Sequence, residues 1–287
     1  MDRFRKALDK MEVRGQAQRD PLPPPPPPRQ PPRGIPPAEP ATTRRPPQDA
    51  IVYTQTKVAT ISGRRARESR IIVATDDDRA AAFQVLRTQV LRSCRLHGWR
   101  TLGITSVRQG AGKTFSATNL SVAIAREPNQ TVLLVDMDLR HPRIAKAFGY
   151  PATSGILECL KGQKSVEEVL FNPGFERLVV LPGTVGDRRA SELLASQKTQ
   201  ALMQEIVNRY ESRLILCDLA PLAAGDDVLV CLPYLDAIIL VVECGRTTTA
   251  DLDHARGLLD GVPIAAVVLN KIRNPHKQDS YYDYSYL

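Results

Sequence analysis

Residues 102–114, Leu-Gly-Ile-Thr-Ser-Val-Arg-Gln-Gly-Ala-Gly-Lys-Thr, decide the fold of this chain. The apolar start of this stretch predicts a buried strand, and a helical pattern begins at Lys113, so the turn between them joins a strand to a helix N-terminus. Backbone N–H groups at such a turn point inward and bind phosphate. We expect Lys113 to reach the β- and γ-phosphates of ATP and the Thr114 hydroxyl to hold Mg²⁺.

This loop departs from the strict phosphate-binding pattern, because Val107 stands where that pattern has glycine. Its position between a strand and a helix still favours nucleotide binding over the alternative, a tight turn with an exposed lysine. The residues predicted to bind the nucleotide here are Gly110, Ala111, Gly112, Lys113, Thr114 and Phe115.

Three later apolar runs end in polar residues. The first leads into Asp136 and Asp138, the second into Asp218, and the third into Asn270. Ligands bind at the carboxyl ends of the strands in an open parallel sheet. A carboxylate pair there can orient Mg²⁺ and accept a proton from an attacking hydroxyl, and an aspartate placed like Asp218 commonly binds a water of Mg²⁺. A solvated acidic turn is the alternative for the pair, and Asn270 either recognises the nucleotide base or belongs to a turn.

Short apolar runs alternate with amphipathic stretches from about Ile71 onward. The runs are continuous, which is typical of strands buried on both faces. Strand–helix alternation implies right-handed crossovers, and therefore an α/β fold with a mostly parallel sheet and helices on both faces. The predicted strands are 102–105, 132–135, 178–181, 214–217, 237–242 and 265–269, and the predicted helices are 79–96, 113–126, 198–210 and 248–259.

The composition excludes several classes of protein. With 43% hydrophobic residues the 287-residue chain can form a packed core, and no apolar run approaches the ~18 residues of a membrane helix. Five cysteines without a Cys-x-x-Cys pair argue against a disulfide framework or a zinc site and fit a cytoplasmic protein. The net charge of +8 lies in residues 1–70, which hold 15 of the 39 basic and 7 of the 31 acidic residues. Because the remainder is neutral, we expect no nucleic-acid partner.

Four regions are predicted along the chain. Residues 1–19 form a short amphipathic segment, which either packs on a partner or anionic lipid or is a frayed tail. Residues 20–70 form a Pro-rich basic linker, largely disordered, because 14 of the 23 prolines lie in residues 20–47 and prevent helix and sheet. This linker is a spacer or a docking ligand. Residues 71–275 form the ATP-binding domain, and residues 276–287 form a tyrosine-rich tail.

Together these segments resemble the bacterial tyrosine kinases of capsule and exopolysaccharide synthesis, in the exosortase-associated branch of that family. The resemblance covers about Ala81 to Lys271. It rests most on residues 132–142, Val-Leu-Leu-Val-Asp-Met-Asp-Leu-Arg-His-Pro, which are similar to the family's second Walker A segment. Residues 216–221, Leu-Cys-Asp-Leu-Ala-Pro, are similar to its Walker B segment. The resemblance implies a phosphate-loop NTPase architecture of the MinD/ParA type with a deviant Walker A loop.

The resemblance also implies roles for individual residues. Asp136 is expected to position or deprotonate an incoming tyrosine hydroxyl. The residues with implied catalytic roles are Lys113, Asp136, Asp138 and Arg140, and those implied to support Mg²⁺ are Thr114, Asp138 and Asp218.

The C-terminal tail is the substrate that the resemblance implies. Four of the eight tyrosines lie in the last seven residues, at Tyr281, Tyr282, Tyr284 and Tyr286. Phosphorylation is expected between subunits of a homo-oligomer. A separate transmembrane chain-length determinant protein is expected to bring this cytoplasmic protein to the inner face of the cytoplasmic membrane.

Two other classes stay open. A switch ATPase of the chromosome-partitioning and septum-positioning type carries a lysine, reaching across a dimer, at the place of Arg108. A non-catalytic nucleotide-binding scaffold in the polysaccharide pathway is the third reading. The kinases that this chain resembles usually carry a Glu-x-x-Arg-x-x-Arg pattern on the first helix, which is used for ring assembly. In this chain Ala81 and Gln84 replace the first two residues of the pattern and only Arg87 is kept, which favours the scaffold.

Overall fold

One eight-stranded sheet organises this computed structural model, which describes residues 56–74, 79–184, 187–209 and 213–272. Its strands are β1 (Lys57–Val58), β2 (Thr101–Ser106), β3 (Thr131–Asp136), β4 (Phe171–Asn172), β5 (Leu178–Leu181), β6 (Arg213–Asp218), β7 (Ala237–Glu243) and β8 (Ile264–Asn270). Their spatial order is β1-β4-β5-β3-β6-β2-β7-β8. All pairings are parallel except that of β4 with β5, so the short strands β1 and β4 run against the other six.

The central strands are buried on both faces. Every residue of β2 is buried, and in β3 and β6 only the first residue is partly exposed. Successive side chains of a strand point to opposite faces, so both faces of the sheet are covered. The predicted mostly parallel α/β fold is confirmed, and all six predicted strands and four predicted helices are present with ends within one residue of the prediction.

Helices connect the strands. Those in the described residues are α1 (Gly63–Glu68), α2 (Ala80–His97), α3 (Lys113–Ala125), α4 (Ile144–Ala147), α5 (Ile156–Leu160), α6 (Val166–Val169), α7 (Ala190–Leu194), α8 (Gln197–Arg209), α9 (Asp227–Cys231) and α10 (Thr249–Leu258). Helix α3 follows the phosphate loop and packs on β2, β3 and β6, and α2 packs on α3 and β8. The helices that were not predicted are four to six residues long, which is too short for a hydrophobic period to be read.

Residues 57–74, called here the N-terminal strap, belong to this packed domain, although the sequence analysis assigns residues up to 70 to the linker. Strand β1 pairs with β4, and the Ser62 side chain caps the start of α1. Ile71, Ile72 and Val73 are almost completely buried. Three consecutive buried apolar residues explain why the strap packs on the domain.

No helix in these described ranges is both long and apolar enough to cross a membrane. Residues 1–19, most of the predicted linker and residues 276–287 lie outside the described residues. The expectations for them therefore stay predictions.

Candidate functional site

Three neighbouring strands end at the same edge of the sheet. Strand β6 lies between β2 and β3, and Asp218 is in register with Asp136 on one side and with Ile104 on the other. The phosphate loop leaves this edge from β2 and enters α3 at Lys113. Residues predicted from three separate segments are therefore brought together, at the edge where ligands bind in parallel sheets.

Lys113 lies at the centre of an acidic cluster. Its Nζ is 2.8 Å from Asp138 Oδ2 and 3.5 Å from Asp218 Oδ1. The side chains of Lys113, Asp138 and Asp218 are 11%, 4% and 1% exposed. Burial by itself opposes a charged lysine, but the attraction of Asp218 and then Asp138 outweighs it and raises the pKa of Lys113. The lysine is therefore charged and poised between carboxylates.

Asp136 lies next to this cluster with one carboxylate oxygen unpaired. Its Oδ2 accepts hydrogen bonds from the backbone N–H groups of Arg143 (2.9 Å) and Ile144 (3.0 Å), whereas Oδ1 has no partner among the described residues. Burial, and then the charge of Asp218, raises the pKa of Asp136 to about 7. The side chain is fully buried, and a Cβ added to Gly183 would lie 3.1 Å from its Cγ. Asp136 is therefore closed off from solvent in this structure.

Thr114, Asp138 and Asp218 fit a Mg²⁺ ion that is bound together with a nucleotide. The Thr114 hydroxyl donates to Asp218 Oδ2 at 2.6 Å, and Asp138 Oδ1 accepts from the backbone N–H of His141 at 3.0 Å. In the part of the chain that the structure describes, no three His, Cys, Asp or Glu side chains form a metal cage. Mg²⁺ commonly takes only one or two carboxylates and completes its shell with water and phosphate oxygens. The donor set therefore suits a metal–nucleotide complex.

The phosphate loop packs closely against the end of β8. Gly110 and Gly112 have φ angles of 84° and 103°, which favour glycine. A Cβ added to Gly112 would also overlap the Nδ2 of Asn270. That Nδ2 donates to the Ala111 carbonyl at 2.8 Å, and Asn270 Oδ1 accepts from the backbone N–H of Lys271 at 2.9 Å. Asn270, predicted as a base-recognition residue, thus holds the loop in this structure.

Arg140, for which the resemblance implies a catalytic role, lies apart from the acidic cluster. Its Nε and Nη2 donate to the two carboxylate oxygens of Asp227 at 2.5 and 2.8 Å. The Asp227 side chain is only 2% exposed. This paired contact connects the loop after β3 to α9, which follows β6, so Arg140 fixes two loops of the site relative to each other.

A cavity of about 1070 Å³ opens over the phosphate loop. Among its lining residues are Gly110, Gly112, Thr114, Phe115 and Asn270. The ring of Phe115 is packed edge-on against that of Phe83, with centroids 5.6 Å apart. Small-molecule cavities span roughly 300–1,000 Å³, so this one is large enough for a nucleotide.

The cavity is also lined by basic residues, and sequence reasoning missed this. The basic wall is defined as Arg65, Arg70, Arg143 and Lys146, which are all exposed and all line the cavity. Two of these residues come from the N-terminal strap and two from the start of α4. Ser62, a residue type that commonly caps a helix, was the available signal that the domain begins before residue 71.

The fold and this site define a phosphate-loop nucleotide-binding protein. Residues 102–285 match the CobQ/CobB/MinD/ParA nucleotide binding domain. The tyrosine-protein kinase YwqD of Bacillus subtilis is 26% identical over 226 residues, which are 78% of this chain and 93% of that protein. The predicted nucleotide, metal and catalytic residues fall in the matched region, and so do Tyr281, Tyr282 and Tyr284. The four tail tyrosines all lie outside the described residues.

Two solved kinase domains agree with that match. The VpsO kinase domain is 30% identical with a TM-score of 0.61, covering 68% of this chain and 97% of its own. The kinase domain of Escherichia coli tyrosine kinase ETK is 25% identical with a TM-score of 0.65, covering 75% of this chain and 89% of its own. The chain therefore belongs to the bacterial tyrosine kinases within the CobQ/CobB/MinD/ParA domain family, as the sequence predicts.

Proposed function

We propose that this chain is an ATP- and Mg²⁺-dependent protein tyrosine kinase that phosphorylates its own C-terminal tyrosines. The proposed acceptors are Tyr281, Tyr282, Tyr284 and Tyr286. The observation that carries the proposal is the convergence of Lys113, Asp138 and Asp218 at the phosphate loop, with the unpaired oxygen of Asp136 beside them.

The phosphate loop and Lys113 hold the nucleotide. Backbone N–H groups at the start of α3 bind phosphate oxygens, and Lys113 turns from its carboxylates to the β- and γ-phosphates. Thr114, Asp138 and Asp218 hold Mg²⁺, which supplies positive charge against the phosphoryl group as it transfers. Positioning and charge neutralisation carry most of such a reaction, so buried, preoriented groups suit it.

Asp136 accepts the proton of the attacking tyrosine hydroxyl. Its Oδ1 has an open acceptor site, while the backbone N–H groups of Arg143 and Ile144 keep the carboxylate oriented through Oδ2. A pKa raised to about 7 makes Asp136 a stronger base than an ordinary aspartate at neutral pH. The tyrosine gains access when the cover over Asp136 at Gly183 moves.

The proposed role of the kinase is to regulate exopolysaccharide synthesis, chain length or export. Family membership supports this role. A homo-oligomeric state is part of the same proposal. The proposed partner is a transmembrane chain-length determinant protein that recruits the chain to the inner face of the cytoplasmic membrane.

One contact argues against the switch-ATPase alternative. Arg108 donates through Nη2 and Nε to the two oxygens of Asp251, at 2.8 and 3.1 Å. This pairing, within one chain, neutralises the side chain that the alternative would send across a dimer. The scaffold alternative shares the nucleotide site and differs only in lacking phosphoryl transfer.

The test is an anti-phosphotyrosine blot of the purified full chain with Mg-ATP, with and without the cytoplasmic segment of the partner. Wild-type protein should give a signal that is lost in Lys113→Met and in a truncation after Lys277. Loss in Lys113→Met alone would place the target outside the tail. ATP hydrolysis with no phosphotyrosine under any condition would contradict the kinase proposal.

A further inference from the structure

The basic wall faces the cavity with little acid to balance it. Within the described residues, none of the ion pairs involves Arg70, Arg143 or Lys146. Arg65 has one long contact, 3.5 Å to Glu68, and Glu68 makes its shorter contact, 2.9 Å, with Arg64. The wall therefore presents a net positive surface to whatever enters the cavity.

The N-terminal strap holds its part of the wall in a fixed place. The Asn119 side chain donates to the Arg70 carbonyl at 3.0 Å and accepts from the backbone N–H of Val73 at 3.3 Å. Asn119 lies on α3, one and a half turns after Lys113, and is 1% exposed. The strap is thus fastened to the same helix that carries the phosphate-binding lysine.

Backbone strain occurs at two basic residues that line this cavity. Among the described residues other than glycine, only Arg70 (φ 57°) and Lys271 (φ 61°) have a positive φ. The left-handed conformation costs roughly 1–2 kcal/mol for a residue with a Cβ. An arginine at a position where glycine or asparagine is less strained suggests that the charged side chain is needed there.

Part of the wall lies next to Asp136, the residue that accepts the tyrosine proton in the proposed function. Arg143 opens α4 and its N–H binds Asp136, the proposed proton acceptor. Lys146 follows in the same helix, and the Arg65 side chain packs near Gly149, just after that helix. Asn270 and Lys271 belong instead to the phosphate-loop side.

We propose that the basic wall binds anionic groups flanking the acceptor tyrosine, so that the kinase selects acidic or already phosphorylated tyrosine segments. This inference rests on the proposed function. The chain's own residues 276–287 have the matching chemistry, since Asp279 precedes the tyrosines and Asp283 lies among them. Each added phosphate brings about −1.5 to −2 charges, so one modified tyrosine strengthens binding of the segment that holds the next.

The test measures binding and transfer with the full chain and three peptides that have the sequence of residues 276–287. The first peptide is unmodified, the second has Asp279→Asn and Asp283→Asn, and the third is phosphorylated on Tyr284. Binding is followed by fluorescence anisotropy with Mg-ADP present, and transfer is followed by phosphotyrosine formation with Mg-ATP. The wall variant combines Arg65→Gln, Arg70→Gln, Arg143→Gln and Lys146→Gln, and the matched control combines Arg64→Gln, Arg67→Gln, Arg92→Gln and Lys161→Gln, none of which lines the cavity.

We expect wild-type protein and the control variant to bind the phosphorylated peptide about tenfold more tightly than the neutralised one, as several charge-assisted contacts permit. The wall variant should no longer discriminate among the peptides, and its KM for ATP should be unchanged. Equal discrimination by the wall variant, or a rise in the KM for ATP with peptide selectivity intact, would overturn the proposal. Peptide binding that depends on the wall, without any phosphotyrosine formation, would contradict the proposed kinase function but support peptide binding by the wall. Phosphotyrosine formation that is the same in the wall variant and in the wild type for all three peptides would support the kinase function but contradict the role of the wall.

Discussion

Lys113 and its carboxylate partners, at the start of the helix that follows the phosphate loop, are almost completely buried, whereas the basic wall of the cavity is exposed. Buried charges interact strongly and are costly to leave unpaired, while exposed charges are screened and individually weak. The buried cluster can therefore supply the chemistry, and the exposed basic wall can supply selection among substrates through several modest contacts. The predictions below test this contrast in order of expected effect.

Removing the buried lysine should have the largest effect. Lys113→Met leaves Asp138 and Asp218 without their cation, and breaking one side of a buried pair costs roughly 3–5 kcal/mol of unfolding free energy. Phosphoryl transfer should fall by about 10²–10³-fold or more, the usual cost of losing one transition-state donor. Urea denaturation measures the loss of unfolding free energy, and phosphotyrosine formation measures the loss of transfer. Lys161→Met, at a partly exposed lysine that pairs with Asp187, is the control, and equal midpoints for the two variants would contradict the prediction.

Neutralising Asp136 should separate stability from catalysis. Asp136→Asn should lower transfer by about 10²–10⁴-fold, because a proton acceptor is lost. The same change should stabilise the nucleotide-free protein in EDTA at pH 7 by about 1–3 kcal/mol, because it removes a buried negative charge close to Asp218 while the amide oxygen still accepts from the Arg143 and Ile144 N–H groups.

The stability gain of Asp136→Asn should depend on pH. Burial raises the Asp136 pKa from 3.8 to about 7, so between these values the folded state holds a proton that the unfolded state has released. Wild-type stability therefore falls as pH rises through this window, and the advantage of the Asn variant should grow from about pH 4 to 7. Thermal unfolding of both proteins at several pH values measures this advantage. A stability difference that stays constant between pH 4 and 7 would contradict the raised pKa of Asp136.

Cutting the tie between the strap and α3 should have an intermediate effect. Asn119→Ala removes hydrogen bonds to the Arg70 carbonyl and the Val73 N–H, which costs about 1–3 kcal/mol. Trypsin should then cleave faster within residues 63–70, which contain four arginines. Asn208→Ala, on an exposed part of α8, is the control. Unchanged cleavage would mean that the strap does not depend on this contact.

The exposed contact of the phosphate loop should matter least. Arg108→Gln loses its ion pair with Asp251, but the arginine is half exposed and water replaces the contact. Stability and phosphotyrosine formation should change little, whereas Asp251→Ala should be the more harmful change because Asp251 also accepts from the Thr248 N–H and caps α10. A loss in Arg108→Gln as large as that in Lys113→Met would favour the switch-ATPase reading.

The same contrast explains what the sequence could reveal. The phosphate loop, Asp136, Asp138 and Asp218 could be predicted because each belongs to a short motif at the end of an apolar strand, and parallel pairing brings such ends together. The family and the mostly parallel sheet followed from these motifs and are confirmed.

The features that escaped prediction depend on contacts distant in sequence. Arg140 and Asp227 are 87 residues apart, and Arg108 and Asp251 are 143 apart, so no local pattern indicates that they pair. Residues 57–70 of the strap were predicted as linker because of their basic charge and the nearby prolines. The cover over Asp136 likewise depends on tertiary packing near Gly183.

The central claim is that the buried cluster around Lys113 promotes transfer of phosphate from ATP to the chain's own tail. The most direct measurement is mass-spectrometric mapping of phosphate on the full chain after incubation with Mg-ATP, in wild-type protein and in Lys113→Met. The account predicts phosphate on Tyr281, Tyr282, Tyr284 and Tyr286 in the wild type and none in the variant. Hydrolysis of ATP with all four tyrosines unmodified, in the presence of the partner's cytoplasmic segment, would contradict it.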